Sequence, residues 1–258
     1  MAAPMGPAPM MDTVDTGIFY GGMSFKALVT GSTRGIGRAV ARAILAAGGR
    51  VMVTGRDRTD VDAVVRELAT EFGDRVAGSA LDVRRSGDVD AAVAAAAAQL
   101  GGLDVVINNA GVGLYANLES VSDDDWATTM ETNLSGPFHV MRAAIPRLRE
   151  AGGGWIINIA SLAGAHPFAG GGAYCASKAA LIALTESVMQ EVRGDGIRVS
   201  VVLPGSVATG FSNRSRGGDD SWKLSPEDVA EAVMSLLKHP ARSLPSRLEI
   251  RPSRPGKG

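Results

Sequence analysis

Lys26-Ala-Leu-Val-Thr-Gly-Ser-Thr-Arg-Gly-Ile-Gly37 is the stretch from which the fold is read. Residues 26–30 form a short apolar run stopped by Gly31, which predicts a buried strand. Residues 38–47 follow with helical spacing and end at Gly48-Gly49, a C-terminal stop. Glycines between a strand and a helix let the backbone turn sharply and approach an anion held at the helix N-terminus. The spacing Gly31-x-x-x-Gly35-x-Gly37 is not G-x-G-x-x-G, and a glycine cluster by itself also suits a plain tight turn. Its place between strand and helix favours a pyrophosphate-binding loop.

Outward from this unit the alternation continues. Residues 50–54 read as a strand closed by Gly55, residues 60–72 as a helix, and residues 76–81 as a weak strand ending at Asp82. Residues 86–100 are helical, and their alanine run 94–98 requires a closely packed neighbour. Residues 104–107 form a strand stopping at Asn108-Asn109. A long helical stretch spans residues 123–149, bent or broken near Gly136-Pro137 and Pro146. Residues 155–159 are a strand, 174–192 a long helix, and 198–203 a strand ending at Pro204. Ser225-Pro226 opens a last helix with a cap residue and a first-turn proline, and residues 248–250 read as an edge strand.

Strands apolar on both faces that alternate with helices imply parallel βαβ units with right-handed crossovers. The expected fold is α/β, a single doubly wound Rossmann-type domain over residues 25–250 with a parallel sheet flanked by helices. A flexible extension (1–24) precedes it and a short tail (251–258) follows. Ligands should collect at the carboxyl ends of the strands.

Composition narrows the function classes. The chain has 258 residues, 45% hydrophobic and 21% charged, with a net charge of −1. This suits a substantial core, excludes disorder for the body, and argues against a nucleic-acid partner, which would need a concentrated basic face. Its single cysteine and three separated histidines predict neither a disulfide framework nor a metal site. No apolar run approaches the ~20 residues that span a bilayer, and the N-terminus lacks a secretory pattern. A cytoplasmic protein without a membrane partner is expected.

NAD-binding folds commonly place an acid at the end of the second strand to accept from the ribose 2′-hydroxyl. Here that strand ends Val53-Thr-Gly-Arg56, with glycine where the acid would stand. Arg34 in the loop and Arg56 at the strand end suit a 2′-phosphate, and the predicted cofactor is NADP(H). The alternative is that Arg56 is a solvated charge paired with Asp57.

Tyr174-Cys-Ala-Ser-Lys178 opens a predicted helix, and residues four apart share one face. A cation beside a phenol favours the phenolate and lowers its pKa. Alone, such a pair is usually surface packing. Together with the glycine loop, Asn108-Asn-Ala-Gly111, and Ser161 thirteen positions before Tyr174, it is specific. On these residues the chain, strongly from 25 to 211, resembles the short-chain dehydrogenase/reductase family. The closest likeness is to 3-oxoacyl-acyl-carrier-protein reductases and kindred NADPH carbonyl reductases.

The resemblance implies a constellation of Asn133, Ser161, Tyr174 and Lys178. Tyr174 would be the general acid/base and Ser161 would orient the carbonyl. Lys178 would bind ribose hydroxyls and acidify Tyr174, while Asn133 would hold a water linking the lysine to solvent. It also implies cofactor contacts from Gly31, Ser32, Thr33, Arg34 and Ile36 of the loop. Asp82 and Val83 match the adenine edge, and Asn109, Ala110 and Gly111 the turn beside the ribose. Pro204, Gly205, Val207 and Thr209 match the segment fixing the nicotinamide carboxamide. Taken alone, Asn108-Asn-Ala-Gly111 reads as a structural turn and Asp82 as a helix cap.

Other residues weigh less. Cys175 reads as a packed small residue, and His166 and Phe168 lie on a loop bordering the pocket. Residues 206–225 resemble a substrate lid, with Arg214, Arg216 and Lys223 near it. The C-terminal sequence departs from the acyl-carrier reductases and is more like relatives acting on small 3-hydroxy acids or ketones. The family resemblance implies a homo-oligomer, tetramer or dimer, through the two long helices. Three functions stand: NADPH-dependent reduction of a 3-oxoacyl thioester or similar ketone, NADP-dependent oxidation of a small 3-hydroxy acid or secondary alcohol, and a non-catalytic nucleotide-binding sensor. The intact set of four residues speaks against the last.

Overall fold

A computed structural model describes residues 24–211 and 220–254. Most of the expected N-terminal extension, residues 212–219 of the expected lid (with Arg214 and Arg216), and 255–258 of the tail lie outside the described residues. The strands are β1 (Lys26–Val29), β2 (Arg50–Gly55), β3 (Val76–Ala80), β4 (Val105–Asn108), β5 (Gly154–Ile159), β6 (Ile197–Pro204) and β7 (Arg247–Ile250). The helices are α1 (Gly35–Ala46), α2 (Arg58–Phe72), α3 (Ser86–Leu100), α4 (Asp123–Met130), α5 (Gly136–Glu150), α6 (Gly172–Val192) and α7 (Pro226–Leu237). The seven strands form one parallel sheet in the order β3-β2-β1-β4-β5-β6-β7.

The five inner strands, β2, β1, β4, β5 and β6, are buried on both faces because their side chains alternate between two cores, while the edge strands β3 and β7 are partly exposed. Ala27, Val29, Val51 and Val53 face one, with α1, α2 and α7. Leu28, Met52, Val106 and Ile156 face the other, with α3, α5 and the C-terminal half of α6. Ala92 and Ala96 of α3 are buried in that second core with Val140 and Ala144 of α5, the close packing that an alanine-rich helix needs. The chain leaves β1 toward β2 and β3, then returns to β4. The crevice at the carboxyl ends of β1 and β4 is therefore the topological switch point.

Two boundaries differ from the sequence expectation. The first helix starts at Gly35 rather than 38, because the glycine loop winds directly into it. The 123–149 stretch breaks ahead of Gly136-Pro137, at a wide π turn over Glu131–Ser135, and runs unbroken through Pro146. Pro137 has no N–H to return to the Asn133 carbonyl, and a side chain at Gly136 would stand 2.7 Å from Val83 Cγ2. The missing donor accounts for the wide turn, and the closeness of Val83 for a glycine at 136.

Candidate active site

The carboxyl ends of the strands open into one cleft of about 1830 Å³, larger than a typical small-ligand pocket. One end is built by the glycine loop. Gly31 has φ +61°, and a Cβ there would stand 2.8 Å from the Ala110 Cα. Thr30 Oγ1 accepts the backbone N–H groups of Asn109 and Ala110, both at 3.0 Å. The Asn109 amide donates to the carbonyls of Thr30 and Gly31 at 3.0 and 2.9 Å. The loops after β1 and β4 thus hold each other. Helix α1 starts at Gly35 with no side-chain cap and no acid in its first turn, so its N–H groups face an anion site that the chain itself leaves open.

Arg34 and Arg56 are both exposed and line this end of the cleft. A Cβ at Gly55 would stand 2.7 Å from Thr33 Cγ2, so the loop fills the place where a ribose-binding acid would project. Asp57 does not pair with Arg56 among the described residues; its carboxylate caps α2, accepting from Thr59 N at 2.7 Å. Asp82 is gripped by the Arg84 guanidinium, with contacts of 2.6–3.1 Å, and this holds its carboxyl below the usual range.

At the other end, Tyr174 lies in the first turn of α6, and Lys178 one turn later sits below it. The Lys178 ammonium is buried, donates to the Ile159 carbonyl at 2.9 Å, and lies 5.8 Å from the Tyr174 ring centroid. Ser161 follows β5, accepts from Ala163 N at 3.1 Å, and hydrogen-bonds the Tyr174 hydroxyl. Tyr115 and Phe211 meet the Tyr174 ring edge-on at 5.3 and 5.9 Å.

Burial decides the charges here. It pushes the Tyr174 phenol well above its ordinary value; Tyr115 adds to this and the Ser161 hydrogen bond opposes it. Burial pulls Lys178 down to about 8. The expectation that Lys178 acidifies the phenol is not what the protein alone presents. Burial disfavours the charged form of both groups, raising the phenol and lowering the ammonium.

Gly31, Thr33, Arg34, Ile36, Arg56, Asp82, Val83, Asn109, Ala110 and Gly111 all line the cleft, as do Ser161, Tyr174, Lys178, Pro204, Gly205, Val207 and Thr209. Ser32 and Asn133 do not. Ser32 is fully buried under the loop, donating to the Val29 carbonyl at 2.8 Å and accepting from Thr54 N at 2.9 Å. Asn133, from the π turn, accepts from Val112 N at 2.8 Å and donates to Val112 O at 3.0 Å and to Ser177 Oγ at 3.1 Å. It pins the loop after β4. Cys175 is buried beside Ala163. Sequence reasoning missed Tyr115, Trp222 and Arg251, which also line the cleft. An aromatic in Gly111-Val-Gly-Leu-Tyr115, directly after a cleft loop, was a usable signal for the first.

The cleft fits a dinucleotide: open helix N–H groups and paired arginines at one end, a tyrosine–serine–lysine cluster at the other. Comparisons agree. The sequence pattern of the short chain dehydrogenase family matches residues 26–219. The NADP-dependent 3-hydroxy acid dehydrogenase YdfG of Escherichia coli (strain K12) is 35% identical over 236 residues, covering 87% of this chain and 94% of that protein. An alcohol dehydrogenase from the archaeon Thermococcus sibiricus, complexed with 5-hydroxy-NADP, superposes with a TM-score of 0.82 at 31% identity, covering 90% of this chain and 98% of that one. A 3-ketoacyl-(acyl-carrier-protein) reductase from Brucella melitensis, complexed with NADH, gives 0.79 at 29% identity, with 88% and 97% covered. Fold, cleft and sequence pattern together make this chain a member of the short chain dehydrogenase family, an oxidoreductase.

Proposed function

We propose that this protein interconverts a ketone and a secondary alcohol with NADP(H), and that carbonyl reduction is the direction its site favours. The observation that carries this is the convergence of Tyr174, Ser161 and Lys178 at one end of the cleft that holds Arg34 and Arg56 at the other. The cofactor would supply the hydride. Gly31, Gly35 and the first turn of α1 would bind its pyrophosphate. Arg34 and Arg56 would bind its 2′-phosphate, and Val207 and Thr209 would border its nicotinamide end.

The remaining chemistry belongs to side chains of this chain. Ser161 Oγ donates to the substrate oxygen and orients it. The Tyr174 hydroxyl, kept protonated by burial, gives its proton to that oxygen as negative charge develops there. The Lys178 ammonium, one turn below, stabilises the phenolate left behind, and the Ile159 carbonyl fixes its position. Asn133 acts through the loop it pins, holding Gly111 and Val112 against the site. Tyr115, Phe168 and Phe211 screen the phenol from water. Oxidation of a small 3-hydroxy acid is the second reading, favoured by the 35% identity to the NADP-dependent 3-hydroxy acid dehydrogenase. Self-association through α4, α5 and α6 is part of the same proposal.

The test is NADPH consumption over a panel of an acetoacetyl thioester, β-keto esters, 3-oxo acids and quinones. Tyr174→Phe is expected to lower kcat on every substrate that the wild type turns over by about 10³-fold, with NADPH affinity within threefold of wild type. A variant retaining near-full activity overturns the assignment.

A further inference from the structure

The cleft also contains a cation that the reaction just described does not use. Strand β7 ends at Ile250, and Arg251 follows on the strand face that carries Arg247 and Glu249. Arg251 Nη2 lies 3.0 Å from His166 Nε2 and 2.9 Å from Glu249 Oε2. His166 closes the turn that Ser161 opens: Gly164 N donates to Ser161 O at 3.0 Å, and His166 N to Leu162 O at 2.7 Å. Gly205 N donates to Ile250 O at 2.8 Å. A Cβ at Gly205 would meet Pro252 at 3.0 Å and Leu162 at 3.3 Å. Residues 250–252 are therefore packed onto the end of β6, against the turn that carries Ser161. A guanidinium from the end of the chain and an imidazole from its middle meet at the substrate end of the cleft, which both line.

We propose that Arg251, with His166 beside it, receives a substrate carboxylate, so that the substrate is a small 3-oxo or 3-hydroxy acid rather than a thioester. The inference rests on the ketone–alcohol reading and names its substrate class. A guanidinium presents five N–H donors in a planar fork suited to a carboxylate. Here one nitrogen is engaged by His166 and Glu249; Nε and Nη1 make no hydrogen bond to the described residues. Arg247 shares the Glu249 carboxylate at 2.8 Å, so two arginines face one acid and a positive charge remains in excess. Arg254 lines the same end, and Lys223 there pairs with Asp220. In a 3-oxo acid the carboxyl carbon lies two bonds from the reacting carbon. The turn that opens at Ser161 closes at His166, which holds Arg251, so one short turn carries both the carbonyl-orienting serine and the proposed carboxylate subsite. A thioester or ester carries no charge at that position.

The experiment compares kcat/KM for acetoacetate and methyl acetoacetate, with NADPH, in wild type, Arg251→Gln, His166→Gln and Arg247→Gln. The wild type is expected to prefer the acid at least tenfold. Arg251→Gln is expected to reduce the acid-to-ester ratio at least tenfold, through the KM of the acid, with kcat on the acid within threefold. His166→Gln reduces the ratio less. Arg247→Gln, which leaves the Glu249 carboxylate to Arg251 alone, also reduces the ratio, but less than Arg251→Gln. An ester used as well as the acid, or a parallel loss on both in Arg251→Gln, overturns the proposal. A parallel arm titrates 3-hydroxybutyrate into the protein saturated with NADP⁺ and does not depend on turnover. If no ketone in the panel is reduced, the ketone–alcohol reading fails. Binding of 3-hydroxybutyrate that Arg251→Gln abolishes then keeps the carboxylate subsite, and no binding by the wild type sinks it.

Discussion

Lys178 carries its charge in a place that resists it, and that has a measurable consequence. Its folded pKa of about 8 lies below the ordinary lysine value of 10.5, so between these values the unfolded chain holds more protons. Stability from this group is present above 10.5 and lost as pH falls through 8. Tyr174 runs the other way, its raised pKa costing stability only above pH 10, so the clean window is pH 8 to 10. Wild type measured against Lys178→Met by urea unfolding should gain about 2 kcal/mol across this window. A flat difference would mean that the ammonium is solvated. At the far end of the cleft, Arg34→Ala with Arg56→Ala should raise the KM for NADPH at least tenfold and that for NADH less than threefold. Parallel losses would return Arg56 to the role of a solvated surface charge.

Among the elements, the loops after β1 and β4 are the ones whose packing is tested most directly. A methyl group at Gly37 would stand 2.4 Å from Asn109 Nδ2 and 2.5 Å from Gly31 O, both of them parts of the lock between these loops. Gly37→Ala should therefore destabilise the fold by about 1–3 kcal/mol, read as a lower urea midpoint, and weaken NADPH binding at the same time. Asn133→Ala would strip the partly buried Val112 backbone N–H and carbonyl of their Asn133 partners. The expected cost is about 2–3 kcal/mol with a lower kcat, and unchanged stability would refute the pinning role. The strand–helix alternation was legible because apolar runs, glycine stops and caps are local signals; Ser225 and Asp228 form a full capping box at α7. The break at Glu131–Ser135 was legible only approximately. Proline marks where a helix loses a donor, but not which turn absorbs the loss; Val83 lies where a side chain at 136 would stand, a neighbour 53 residues away that local spacing does not reveal.

At the scale of the whole molecule, the sheet order brings residues from 31 to 251 to one crevice. The helices α4 and α5 leave Trp126 and Phe138 about two-fifths exposed, at 42% and 41%. If the proposed self-association uses this face, light scattering should give a multiple of the monomer mass, and Phe138→Glu should lower it. A monomer mass at all concentrations would refute it. What the sequence by itself determined was the fold class, the glycine loop, and the tyrosine–lysine pair with its serine. Each is written in spacings of a few residues, which short-range physics translates directly into strand, turn and helix. What only the tertiary structure decided depends on neighbours distant in the chain. Ser32 turns inward because Thr54 N needs an acceptor. Asn133 reaches Val112 rather than the cleft. Burial raises the pKa of the Tyr174 phenol, with Tyr115 and Phe211 edge-on to its ring, and Arg251 lines the cleft because β7 lies beside β6. Burial and long-range pairing set these outcomes, and neither is encoded in local spacing.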